Sequence, residues 1–333
     1  MNEIKTIVSD IKKGNIKPIY FLMGDEPYYI DKISEYIEKN VLDESEKGFN
    51  QVVMYGRDVT IDEIIASAKR YPMMAEKQVI IVKEAQDLVR TIDRIEAYAE
   101  NPQLSTVLVF NYKYKKLDKR KKTYKAIAKN GLIYDSKKLY ENQVADWIRK
   151  VLGGRKYNIE PKASQMLVEF LGTDLSKISN ELEKLMSVLP KNIIITDKHI
   201  EENIGISKDF NNFELRKAIG QKDIVKANRI INYFTQNPKN NPLVMTISLL
   251  NSFFTQLLMY HGLKDKSKGN VAKVLGVNPY FVDDYSSAVK KYPMRKVSQI
   301  IGFLREADIK SKGVGANQSS SDILKELLFK ILH

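Results

Sequence analysis

Five short apolar runs, at residues 19–23, 51–55, 78–82, 106–110 and 132–135, constrain what the first part of this chain can fold into. Each is too brief for a helix and rich in strand-forming residues, and helical patterns separate them. Strands joined by helices pair in parallel through crossovers, which is the α/β class. From Tyr140 onward such runs stop. Helical patterns at 141–153, 161–171, 174–189 and 197–204 predict a small helical domain over 140–208. Those from Phe213 to Leu332 predict an all-α domain over 209–333, leaving 1–139 as the α/β domain. The joint 312–322, rich in Gly and Ser, reads as the loosest in the chain.

The first run ends in Gly24 and meets a helix start, with Asp25 as the candidate N-cap and Glu26 and Pro27 in the first turn. A nucleotide-binding α/β protein places its phosphate loop here. That loop needs Gly-x-x-x-x-Gly-Lys-Ser/Thr, so that bare backbone wraps the phosphates, a lysine reaches them and a hydroxyl holds magnesium. Counting from Gly24, the second glycine falls on Tyr29, the lysine on Ile30 and the hydroxyl on Asp31. Asp25 and Glu26 would also repel phosphate. The third run continues into Lys83 and Glu84, so a lysine stands where a magnesium-binding aspartate belongs. Both halves of an ATPase site are missing, no serine or lysine sits in a nucleophile motif, and the carboxylates are dispersed. These residues predict no catalytic site of the chain's own and no bound cofactor. Without cysteine, and with only three scattered histidines, they predict no metal site either.

The net charge of +13 is uneven. Between Tyr112 and Lys138 eleven Lys/Arg face only Asp118 and Asp135. The densest part, Lys119, Arg120, Lys121, Lys122 and Lys125, reads either as a nucleic-acid contact or as a solvated face that meets a partner protein. The absence of cysteine and of an export signal gives a cytoplasmic expectation. The long uncharged stretch 240–262 carries enough Thr, Ser, Asn and Gln to read as a buried helix rather than a membrane span.

The segment Arg70-Tyr-Pro-Met-Met-Ala-Glu-Lys-Gln78 lies between a helix and a strand, where polar turn residues are expected. Instead Tyr71, Pro72, Met73 and Met74 stand in a row. Pro72 ends the preceding helix. Two readings remain open: the methionines cap the core from the sheet edge, or they form an exposed, adaptable binding tip.

These stretches carry a resemblance. Pro18-Ile-Tyr-Phe-Leu-Met-Gly-Asp-Glu26, Tyr71-Pro-Met-Met-Ala-Glu-Lys-Gln-Val-Ile-Ile-Val82, Leu117-Asp-Lys-Arg-Lys-Lys-Thr-Tyr-Lys125 and Asp174-Leu-Ser-Lys-Ile-Ser-Asn-Glu-Leu-Glu-Lys-Leu185, together with stretches at 272–282 and 304–312, resemble the delta-subunit family of the bacterial DNA polymerase III clamp loader. The resemblance implies an ATPase-like (AAA+-type) parallel-sheet domain without a P-loop, a small helical lid domain and a C-terminal helical collar. It implies a non-hydrolysing subunit of the DNA polymerase III holoenzyme. That subunit binds the sliding clamp, opens its ring for loading on primed DNA, and joins other clamp-loader ATPase subunits through the collar. Primer-template DNA is then a partner within the assembled complex. By position, Met73 and Met74, flanked by Tyr71 and Pro72, stand where the family carries its clamp-binding pair, though methionines replace the commoner Leu-Phe or Phe-Phe. A stand-alone DNA-binding protein on an ATPase-like scaffold is the alternative.

Overall fold

A computed structural model describes residues 2–207, 209–314 and 318–333; residues 315–317 of the Gly/Ser-rich joint therefore lie outside the described residues. The chain divides into two compact units, Met1–Leu139 and Tyr140–His333.

The first unit contains α1 (Asn2–Lys12), β1 (Ile19–Gly24), α2 (Pro27–Asn40), α3 (Glu44–Asn50), β2 (Gln51–Tyr55) and α4 (Ile61–Ala68). It continues through β3 (Gln78–Lys83), α5 (Glu96–Glu100), β4 (Thr106–Lys113), α6 (Lys122–Asn130) and β5 (Leu132–Ser136). The five strands form one parallel sheet in the order β2-β3-β4-β1-β5. This is the strand order of an ATPase-like, AAA+-type domain. β1, β3 and β4 are buried along almost their whole length because helices cover both faces. One apolar layer gathers Phe21, Ile80, Leu108 and Phe110 with Ile64 and Ile127. The other gathers Tyr20, Leu22, Ile81 and Val109 with Ile30, Ile33 and Ile37.

Three local expectations are corrected. The N-cap of α2 is Glu26, whose Oε1 accepts from the Tyr28 N–H at 3.1 Å, with Pro27 as the first helical residue; Asp25 is not the cap. The pattern between the third and fourth runs reads as one helix over Gln86–Ala99; the structure instead has two 3-10 turns, Ala85–Leu88 and Ile92–Ile95, followed by the short α5. Ile92, Ile95 and Tyr98 are buried at a spacing of three, which suits a tighter helix than the α form. The helix α3 was not expected. Its start is marked by the Asp43 N–H, which donates to Glu46 Oε2 at 3.1 Å.

The second unit contains α7 (Glu141–Gly153), β6 (Asn158–Ile159), α8 (Pro161–Leu171), α9 (Leu175–Val188), β7 (Ile194–Ile195) and α10 (Asp197–Ile204). It ends with α11 (Asn212–Gly220), α12 (Ile224–Gln236), α13 (Leu243–Gly262), α14 (Lys268–Leu275), α15 (Val282–Lys291), α16 (Met294–Ser311) and α17 (Ser320–Leu332). β6 and β7 pair in parallel, so strands do not stop at residue 140; each is only two residues long, below what periodicity reveals. α13 is long and apolar enough to cross a membrane by length and composition alone. In the fold its Leu250, Phe253, Phe254 and Leu257 join the core formed with α11, α12 and α14–α17.

An ion pair at 3.2 Å between Arg216 of α11 and Glu169 of α8 ties these helical layers together. Glu169 is almost fully buried, and Gln165 Nε2 donates to the same Oε1 at 3.1 Å. Removing only the cation would leave a buried carboxylate without compensation. Arg216→Met should therefore cost about 3 kcal/mol in a urea titration. Adding Glu169→Gln to it should recover much of that loss; a double variant no more stable than Arg216→Met would show that the pair does not carry the effect.

Candidate functional site

At the position of a phosphate loop, the backbone and side chains are already committed to each other. Gly24 has φ +123°, and a Cβ built on it would lie 2.2 Å from the Ser136 carbonyl oxygen. Glycine is required here by the close approach of the end of β5, which occupies the space beside the loop. The Asp25 N–H donates to the Ser136 carbonyl at 2.8 Å, Ser136 Oγ donates to the Glu26 carbonyl at 2.7 Å, and the Glu26 carboxylate takes the Tyr28 N–H. Amides that would otherwise face an anion at the helix N-terminus are thus satisfied internally.

Side-chain charge fills the same region. Lys113 Nζ, at the end of β4, lies 2.9 Å from Asp31 and 2.8 Å from Glu84. Asp31 holds the position of the P-loop hydroxyl, and Glu84 follows the third strand. Lys116 Nζ lies 2.9 Å from Asp25 and 3.0 Å from Asp135. Burial alone would lower the Lys113 pKa, but hydrogen bonds to Glu84 and Asp31 outweigh it and raise the value. Burial likewise pushes Glu84 up, and its bonds from Lys113 and Gln86 bring it below the ordinary carboxylate range. Hydrogen bonds to Asp25 and Asp135 raise Lys116. Tyr29 and Ile30, at the other P-loop positions, lie on α2, where Ile30 is fully buried.

The block 119–125 forms the turn into α6 and its first turn. Arg120 is held by Asp118 through Nε at 3.0 Å and Nη2 at 2.7 Å, and Lys121 pairs with Asp93 at 2.6 Å. Lys119, Lys122 and Lys125 are exposed and make no ion pair among the described residues. A cleft of about 590 Å³ in the second unit is lined by Arg149, Glu169, Arg216, Gln256 and Tyr285; none of the residues expected to be functional lies in it.

The loop between α4 and β3 answers the question left open by pattern. Tyr71 is 78% exposed, Met73 63% and Met74 103%, with Pro72 half-buried, so the methionines do not cap the core. Three large apolar residues within four positions thus face solvent. Met74 has φ +54°, a left-handed conformation that costs a non-glycine residue about 1 kcal/mol. Buried polar side chains hold the loop at two places. Gln78 Nε2 donates to the Arg70 carbonyl at 2.5 Å and to Thr106 Oγ1 at 2.7 Å, while Thr106 Oγ1 donates to the Ala68 carbonyl at 2.7 Å. Asn50, at the end of α3, accepts the Met73 N–H at 2.7 Å and donates to the Met73 carbonyl at 2.9 Å. Its sequence neighbour Phe49 is 76% exposed. Sequence reasoning missed Asn50, Phe49 and Gln78. The capping carboxylate Glu46 was the available sign that a helix starts after Asp43, which is the helix that Asn50 ends.

Two family models match the chain. That described as the DNA polymerase III delta subunit covers residues 20–137, and that of the delta subunit's C-terminal domain covers 209–330. The DNA polymerase III subunit delta of Bacillus subtilis is 25% identical over 313 residues, covering 91% of this chain and 90% of the relative. A probable DNA polymerase III subunit delta of Aquifex aeolicus is 20% identical over 310 residues, covering 88% and 86%. The solved structure of the Bacillus subtilis DNA clamp loader delta protein superposes with a TM-score of 0.55 at 23% identity, covering 99% of each chain.

The Lys113 network predicts a pH signature. The raised lysine contributes stability that is full below its unfolded value near ~10.4 and is lost as pH rises through the folded one. The lowered Glu84 contributes stability present above its unfolded value near ~4.3 and lost as pH falls through the folded one. Lys113→Met should cost about 1–2 kcal/mol at pH 7, after allowing for partial solvent screening. The difference from wild type should shrink below pH ~4 as Glu84 protonates; a difference independent of pH in urea titrations would contradict this.

Proposed function

We infer that this chain, which belongs to the DNA polymerase III delta-subunit family and has its role in the clamp loader of DNA replication, binds the sliding clamp through Met73 and Met74 and holds its ring open. The observation that carries the reading is a pair of methionines presented to solvent on a loop that buried amides fix in place. Methionine is flexible and polarizable and suits an apolar pocket of irregular shape. Burying each side chain in a partner stabilises the complex by roughly 1.5–3 kcal/mol. A ligand shifts a two-state equilibrium only by its difference in affinity for the two states. If the pair fits best when a clamp interface is sprung, binding alone favours opening, and this subunit needs no hydrolysis of its own.

The filled phosphate position supports the same division of labour: ATP acts through partner subunits and this chain supplies the contact. The chain then works as three parts, with 1–139 carrying the clamp-binding element, 140–208 as lid and 209–333 as the collar for assembly. Its setting is the cytoplasm, with the replication complex.

A DNA contact at the start of α6 is a second reading, favoured by one observation. The first turn of that helix carries no acidic residue, and Lys121, Lys122 and Lys125 crowd its positive end, where cations are disfavoured unless an anion joins them. With Arg120 and Lys121 engaged internally, Lys119, Lys122 and Lys125 are the residues available to phosphate.

Met73→Ala with Met74→Ala should weaken clamp binding by on the order of 10²-fold or more in a calorimetric titration. Unchanged affinity in a folded variant would remove the assignment. Neutralising Lys119, Lys122 and Lys125 in the assembled loader should lower the salt dependence of primer-template binding by a slope of about 2–3. An unaltered slope would assign these lysines to solvent or to a partner subunit.

A further inference from the structure

We propose that Asn50 is a positioning residue for the Met73–Met74 tip, presetting the loop in the shape that enters the clamp. The inference rests on the clamp-binding reading above and deepens it. Asn50 is 3% exposed, and its amide makes reciprocal bonds with the N–H and carbonyl of Met73 while Nδ2 also reaches the Glu46 carbonyl at 3.2 Å. Among the described residues, the backbone of 71–76 makes no other hydrogen bond. The tip is thus anchored, between its ends, by one side chain that lies 23 residues upstream.

An extended loop with neither strand nor helix pairing has many accessible conformations, and ordering it at the moment of binding would subtract from affinity. The left-handed Met74 adds to this, because a released loop would leave that conformation. Asn50 keeps the two methionines displayed while the clamp is absent. Its hydrogen bonds go to backbone atoms, so they specify the shape of the tip without depending on which apolar side chains stand there.

The test compares wild type, Asn50→Ala, Asn50→Asp and the double methionine variant against the purified sliding clamp, with amide hydrogen exchange on the free proteins. Asn50→Asp keeps the side-chain volume and the acceptor for the Met73 N–H, but sets a carboxylate oxygen against the Met73 and Glu46 carbonyls. This separates a lost hydrogen bond from a lost volume. Both Asn50 variants should bind about 10-fold more weakly, with faster exchange at Met73 and unchanged exchange in β3. A merely structural Asn50 would lower thermal stability and leave the affinity of the folded protein unaltered. Wild-type affinity in both Asn50 variants, where the methionine variant has lost binding, overturns the proposal and leaves the site reading intact. Wild-type affinity in the methionine variant overturns the site reading itself.

Discussion

The reciprocal hydrogen bonds between the Asn50 amide and the Met73 peptide let an apolar tip stand in water without collapsing onto the sheet. Two exposed methionines gain by burial, and a loop free to move would fold them onto a nearby apolar surface. Here the loop's ends are held by Gln78 and Thr106, which reach the carbonyls of Arg70 and Ala68, and its middle is held by Asn50. The parallel sheet supplies the platform, since β3 and β4 place Gln78 beside Thr106 in register. A core of buried strands therefore ends in a loop whose backbone is tied down by buried polar groups and whose apolar side chains face solvent.

At the other end of the sheet, the position of a phosphate loop is occupied by the protein's own contacts. Ser136 uses the loop amide of Asp25 and crowds Gly24, and Lys113 and Lys116 are neutralised by carboxylates from four segments of the unit. The positive charge that a motor domain would turn toward phosphate is spent on holding α2, β4 and β5 together.

Much of this architecture is legible in the sequence because buried parallel strands leave unbroken apolar runs, and the five runs became the five strands of the sheet. The absence of the P-loop was equally plain from Tyr29, Ile30 and Asp31. Elements that depend on distant partners were not legible. β6 is two residues long and exists only because it pairs with β7, whose run Ile193-Ile-Ile-Thr196 does read as a brief extended piece. The turns over 85–95 follow a spacing of three that a helical pattern absorbs. The charge block was visible as a count, but counting could not show that Lys113 and Lys116 pair with carboxylates while Lys119, Lys122 and Lys125 remain without an ion pair among the described residues. The row at 71–74 stood out in the sequence, whereas its bonds to Asn50 did not, because nothing in the local sequence links residue 50 to residue 73.

The central claim is that the two methionines of the tip are the surface the clamp takes up, and methyl NMR of the full chain tests it most directly. The sequence has ten methionines, so Met23 and Met166, buried in their own cores, serve as internal references. The account predicts that adding sliding clamp moves the ε-methyl signals of Met73 and Met74 out of the solvent-exposed range while those references stay in place. Signals of Met73 and Met74 that remain unmoved in a saturated complex would contradict it.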